Sequence, residues 1–276
     1  MKSITQHIIF ALILVAALSS CRKVVNNIPL ARTDDMAILQ GFLNPDADTI
    51  TIALSVASGV TKDKKTISFT DQKQATVTIE GNGVTKPLQV LKATQTNVIF
   101  YLKKTELPIL PGATYTVRAA NGDKFSLEAT TTVPSAAFDF DFETQGPISS
   151  PSNGDIYRVK TRVTFHPGAL RFCRMDIATE VYDMKFNYTE YYAADETVSA
   201  TTVNGTIETP AFDPDSATYV FSVSNISEDY YKFVQSMNLV ENADGNPFAE
   251  PARLYTNVKG GTGVLGSMTV KYKELW

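Results

Sequence analysis

Histidine and cysteine are almost absent from this sequence, with two of each in 276 residues. The histidines are His7 and His166, and the cysteines are Cys21 and Cys173. An imidazole- or thiolate-based zinc site needs more ligands of these types than the chain can converge. Two cysteines, one of them in the N-terminal segment, exclude a disulfide framework. Cys173 sits in RFCRMDIAT, beside Phe172 and Met175, and reads as a buried strand thiol. His166 sits in FHPG, where Pro-Gly is turn chemistry. A Ser–His–Asp triad needs only one histidine, but no G-x-S-x-G elbow occurs to supply its serine. An excess of positive charge is also missing: 25 basic residues stand against 29 acidic ones, a formal balance of −4. Such a mildly acidic surface does not suit nucleic acid.

Long apolar runs are missing too, except at the N-terminus. There Lys2 is followed by IIFALILVAAL, too short to span a bilayer comfortably and right for the h-region of a signal peptide. It ends in LSSC, Leu18 to Cys21, which resembles a bacterial lipobox. We expect a lipoprotein signal peptide over 1–20 and lipidation at Cys21. Its removal takes Lys2 away, leaving 24 basic residues (25 − 1) against 29 acidic, or −5. Arg22 after the cysteine, in place of Asp, points to sorting to the outer membrane. The stretch CRKVVNN lacks an early acidic run, and Asp34 and Asp35 come late, so the face of the membrane stays open. Residues 21–36 are polar and unpatterned and read as a tether.

Beyond the tether, period-two alternation dominates. TITIALSV places Ile50, Ile52, Leu54 and Val56 on one face. ATVTIEGNG, NVIFYL and the hairpin TYTVRAANGDKFSLEAT follow, the last with Asn121-Gly122 at its turn. Short strands at regular spacing predict a β-sandwich over 37–134, and LPGATY resembles the tyrosine corner of fibronectin-type sandwiches. The fold class expected is therefore all-β: two sandwich-like domains, the first immunoglobulin- or fibronectin-like. The second spans 135–276. In it Phe138, Phe140 and Phe142 alternate with Asp139, Asp141 and Glu143, and GPISSPSNG reads as a loop. The carboxylates form a row rather than a converging set, so no metal site is expected. IYRVKTRVTFH is a long strand, and VYDMKFNYTEYY puts Tyr182, Met184, Phe186 and Tyr188 on one face. That row can be core or a sugar-stacking surface, and core is the commoner fate of aromatics. NISEDYYKFVQSMNLV has helical spacing at Tyr230, Phe233, Val234 and Met237, which predicts a short amphipathic helix over about 226–239. Asn225 with Glu228, or Ser227, can cap it, and we expect it to close one end of the second sandwich.

GGTGVLG near the C-terminus contains G-x-G-x-x-G at Gly261, Gly263 and Gly266. A dinucleotide fingerprint works only between a strand and a helix of a βαβ unit. SMTVKYKELW after it alternates as a strand, and ARLYTNV before it also reads as one. Gly260, Gly261, Gly263 and Gly266 are therefore expected to form a structural turn between two strands, with no nucleotide or other cofactor.

The ending NISEDYYKFVQSMN, then NPFAEPARLYTNVKGGTGVLG, carries a resemblance to a family of Bacteroidetes-type outer-membrane lipoproteins of unknown function. Its members are domain-of-unknown-function lipoproteins, typically encoded beside TonB-dependent receptors of the starch-utilisation kind. The lipobox and the N-terminal strands fit it as well. The resemblance implies a lipid-anchored envelope accessory or binding protein, partnered by the membrane through its lipid and by a TonB-dependent receptor or another envelope protein. It implies nutrient uptake or surface assembly and supplies no catalytic residue. One alternative is a fimbrillin-like structural subunit, with Arg32 as a maturation site. Another is a hydrolase using Asp141 with Glu143 or Asp213 with Asp215, although neither pair can be given converging geometry from sequence.

Overall fold

A computed structural model describes residues 35–57, 67–94, 96–150, 154–165, 172–181, 184–193, 202–210, 218–243 and 253–274. The first half supplies β1 (Met36–Leu43), β2 (Thr49–Ala57), helix α1 (Phe69–Lys73), β3 (Thr76–Gly81), β4 (Val84–Pro87) and β5 (Gln89–Ala93). It continues with β6 (Asn97–Lys103), β7 (Thr114–Asn121) and β8 (Phe125–Thr132). The second half supplies β9 (Phe138–Ser150), β10 (Gly154–Phe165), β11 (Phe172–Val181), β12 (Met184–Ala193) and β13 (Thr202–Pro210). Strand β14 (Thr218–Ile226), helix α2 (Glu228–Ala243) and β15 (Thr262–Glu274) complete it. The chain is all-β in class, with sandwich-like packing and two helices among the described residues.

Two cores form. Alternation on β1, β2, β3, β6, β7 and β8 buries Leu39, Ile52, Leu54, Ile79, Phe100, Val117 and Leu127 in the first. Tyr115 lies fully buried there, and its hydroxyl donates to the Pro108 carbonyl (2.8 Å) and accepts from the Leu110 N–H (2.8 Å). This is the tyrosine corner expected from LPGATY. In the second core Phe138, Phe140, Val159, Val163, Cys173, Met175, Ile177, Phe221 and Val223 meet.

The sheets do not divide where the cores do. Strands β4-β3-β7-β8 make one sheet and β13-β10-β9 another. The remaining eight run in a single sheet, β12-β11-β14-β15-β1-β2-β6-β5. Its centre is β15. Residues 262–267 pair parallel with β1, from Ile38↔Thr262 to Leu43↔Ser267. Residues 268–274 pair antiparallel with β14, from Ile226↔Met268 to Val220↔Glu274. Leu265 accordingly belongs to the first core. The division expected between 134 and 135 falls between β8 and β9, and β15 returns across it.

Several local expectations need correction. GPISSPSNG is not all loop: β9 runs on to Ser150, pairing Ile148 with Ile156, with a bulge between Ile156 and Arg158. ARLYTNV is not a strand. Residues 253–258 are irregular, and only Lys259 bridges, to Glu128. The helix is Glu228–Ala243 rather than 226–239. Its cap is Ser227, whose Oγ accepts from the Tyr230 N–H (3.4 Å), while Asn225 lies inside β14. Nor does the helix close an end of the second sandwich. Its Tyr230 and Tyr231 lie against residues of β1, β11 and β12 on one face of the long sheet. Helix α1, which alternation could not reveal, starts with a capping box between Ser68 and Asp71.

Candidate functional site

The family-like motifs of the ending converge on β15. Gly260 has φ +79°, and a Cβ there would lie 2.0 Å from the Ser126 carbonyl oxygen. Gly263 has φ +114°, and a Cβ would lie 2.0 Å from that of Leu39. Only glycine can bring the backbone this close to β8 and β1. The expected four-glycine turn is thus corrected. Gly260 is in the turn and Gly261 in the bend after it, but Gly263 and Gly266 lie within β15, because the strand must start early to pair with β1.

Asn257 explains why the preceding segment is no strand. Its side chain donates to the Leu265 carbonyl (2.9 Å) and accepts from the Leu265 N–H (2.9 Å). One amide thus replaces a ladder pair. Ser227 ties the helix to the same strand: its N–H donates to the Ser267 carbonyl (2.9 Å) and its Oγ accepts from the Ser267 N–H (3.1 Å). Ser267 Oγ in turn donates to the Thr132 carbonyl of β8 (2.9 Å).

Tyr230 is buried over Gly266, with its ring 4.4 Å from that of Phe42. Its hydroxyl accepts from Arg174 (3.0 Å), which also holds Asp176 at 2.7 Å, and Asp176 accepts from Thr189 (2.6 Å). Burial pulls the Arg174 guanidinium down, but Asp176 and the neighbouring tyrosines outweigh it and hold the group above its ordinary value. Burial first, then Tyr230, pushes the Tyr191 phenol up. Tyr255 donates to Asp229 on the helix. Every named polar group here has an internal partner, so the cluster works as a joint.

The second feature is a seam in the C-terminal sandwich. Strand β9 is an edge of the three-stranded sheet, and beyond Ser267 strand β15 has left β1 behind. Between them lies a groove of about 700 Å³ lined by Asp46, Asp139, Phe140, Asp141 and the 270–273 stretch of β15. Lys271 Nζ donates to the Phe138 carbonyl and holds Asp139 at 3.1 Å. Lys273 Nζ donates to the Phe140 carbonyl and holds Asp141 at 3.3 Å. The opposite seam closes differently: Tyr192 donates to the Thr206 carbonyl (2.6 Å) and accepts from the Thr206 N–H (2.9 Å).

Of the residues singled out in the sequence, Cys21, His166, Tyr182, Asp213 and Asp215 lie outside the described residues, as do the side chains of Met184 and Phe186. Tyr188 is half-buried and packs against the second core. Cys173 is fully buried there, and burial pushes its thiol up to about 12. Asp139, Asp141 and Glu143 stay in one row on β9, opposite Thr164, Arg162 and Lys160 of β10. No group of three or more His, Cys, Asp or Glu converges among the described residues. Sequence reasoning missed Asn257, Arg174–Asp176 and the Lys271/Lys273 pair. Only the lysines left a signal, their i, i+2 spacing in VKYKE.

Fold and joint define a class: an all-β protein of two sandwich-like cores sharing one C-terminal strand. Residues 23–274 match the family described as a domain of unknown function, DUF4249, and the chain belongs to that family. No curated protein matches it significantly. Among solved structures it is weakly similar to a DUF4785 family protein from Legionella pneumophila, at 7% identity and TM-score 0.24. That match covers 68% of this chain and 51% of the other, so the chain spans about half that structure's length. A cytokine receptor complex chain matches at 12% identity over 70% of this chain and 91% of that one, with TM-score 0.22. A structure concerning host cell surface retention of a 1.5-MDa bacterial ice-binding adhesin matches at 12% identity, covering 88% and 65%, with TM-score 0.22.

Proposed function

We propose that this protein is a non-enzymatic lipoprotein of the outer membrane, anchored through acylated Cys21. In this reading it serves as an accessory or binding component of an envelope receptor of the TonB-dependent kind, in nutrient uptake or surface assembly. The observation that carries the reading is LSSC directly behind an apolar run of signal-peptide length. Two features support it. The mostly polar, unpatterned sequence between Cys21 and β1 would serve as a tether between lipid and fold. The residues of the family-like ending hold the two cores together, which suits a scaffold presenting a surface.

Anchoring is tested by Cys21→Ser. Multiple acyl chains bind nearly irreversibly, at about 0.8 kcal/mol per buried CH₂. The wild type should partition with membranes, and the variant should accumulate unprocessed or soluble. Cleaved yet fully membrane-bound variant would overturn the anchor. Partnership is tested by crosslinking in intact cells and purification from solubilised membranes. A receptor-type barrel should co-purify with the wild type, and its consistent absence would remove the accessory role.

A further inference from the structure

We infer that the groove between β9 and β15 is a strand-acceptor site for an extended, basic segment of a protein partner. The proposal rests on the accessory reading for its setting and on the seam for its chemistry. An edge strand offers unpaired main-chain groups, and extended peptides bind by completing such an edge. The unpaired side of β9 faces β15, and among the described residues no strand fills the space. Two lysines stand there instead, and each does what a neighbouring strand would do. Lys271 gives a donor to the Phe138 carbonyl and a cation to Asp139. Lys273 repeats both at Phe140 and Asp141, two residues along.

The placeholders define the occupant. Its main-chain N–H groups must reach the Phe138 and Phe140 carbonyls, and its side chains at i and i+2 must be cationic to face Asp139 and Asp141. The surroundings agree. The side chain of Asp141 is 97% exposed and that of Asp139 76%, so both can meet an incoming cation. Asp46 adds a third carboxylate to the lining. Like the protein as a whole, the lining carries more acid than base. The Tyr192 seam offers no comparable opening, because its hydroxyl occupies both the N–H and the C=O of Thr206.

The probe is a short labelled peptide alternating lysine with threonine and valine, titrated by fluorescence anisotropy into soluble protein carrying Cys21→Ser. Membranes and receptors do not enter this assay, so it can fail while the accessory reading stands, and the reverse. We expect saturable binding that tightens in Lys271→Thr/Lys273→Thr, where the placeholders are gone. Two cross-strand ion pairs imply that Asp139→Asn/Asp141→Asn weakens binding by about tenfold. The same peptide with glutamate for lysine, or with proline at alternate positions to remove N–H donors, should not bind. Melting curves establish that each variant is folded. Raising ionic strength on the wild type gives an independent measure, since the complex should weaken steeply. Absence of saturable binding to the lysine-free variant would overturn the proposal. So would equal binding of the glutamate peptide, or indifference to the aspartate changes.

Discussion

At the scale of residues, the glycines of GGTGVLG can be ranked by what a Cβ would meet. Gly263 and Gly260 combine positive φ with a backbone oxygen 2.0 Å from the Cβ position. Gly112 also has positive φ (+81°) but open space around it. Gly112→Ala should therefore cost about 1 kcal/mol, and Gly263→Ala and Gly260→Ala clearly more, since strain adds to a clash with backbone that cannot move aside. Denaturant midpoints at constant m-value check the order, and equal costs at all three would contradict it. Cys173 makes a second prediction. With Cys21 replaced it is the sole thiol. Buried, it is pushed up to about 12 from an ordinary value near ~8.5. The folded state then keeps its proton where the unfolded state loses it, so this group favours folding fully below pH ~8.5 and less as pH rises toward 12. At pH 8 dithionitrobenzoate should label native protein only at the opening rate and denatured protein at once. Rapid labelling of native protein would show that the strand is not closed.

At the scale of elements, Asn257 in the irregular segment 253–258 and Tyr230 in helix α2 each make several of the contacts that hold their element. Asn257→Ala removes the partner of both the N–H and the C=O of Leu265, a residue fully buried in the first core. Two lost hydrogen bonds, with main-chain groups left short of partners, should cost about 2–4 kcal/mol. Asn257→Asp keeps the acceptor and loses the donor, so it should fall between wild type and Asn257→Ala in melting temperature. Tyr230→Phe removes the hydroxyl that accepts from Arg174 and pairs with Tyr191, about 1–2 kcal/mol, whereas Tyr230→Ala also empties the space over Gly266 and should cost about 3–5 kcal/mol. Hydrogen exchange along the helix reads this directly: it should accelerate in Tyr230→Ala well beyond Tyr230→Phe. Equal protection in the two variants would show that the helix is held elsewhere.

At the scale of the molecule, β15 couples the two cores. Its first half completes the edge of β1 and places Leu265 in the first core, and its second half completes β14. Removal of residues 262–274 should therefore destabilise both halves. The intact protein should unfold in one transition, with far-ultraviolet circular dichroism and tyrosine fluorescence coinciding. Two separated transitions would mean that the shared strand does not transmit stability between the cores.

Much of this was legible in the sequence. Alternation in TITIALSV, TYTVRAAN and FSLEATTT fixed strands and inward faces, because the strand period is two whatever the partner. Asn121-Gly122 fixed a hairpin and LPGATY the tyrosine corner, since both are set by neighbours in the chain. Periodicity also found the helix, and of the two caps open in the sequence, Asn225 and Ser227, the fold uses Ser227. What the sequence left undetermined was partnership across distance. Alternation says which side of a strand is buried but not which strand lies beside it, so β15 read as an ordinary last strand and its pairing with β1 was invisible. Asn257 serving as a ladder, and Lys271 and Lys273 standing where a strand would lie, depend on groups over a hundred residues away or across a turn. Only the packed tertiary structure brings those groups within reach, and it alone decides that the glycines with which the chain ends its first core are a joint between two sheets.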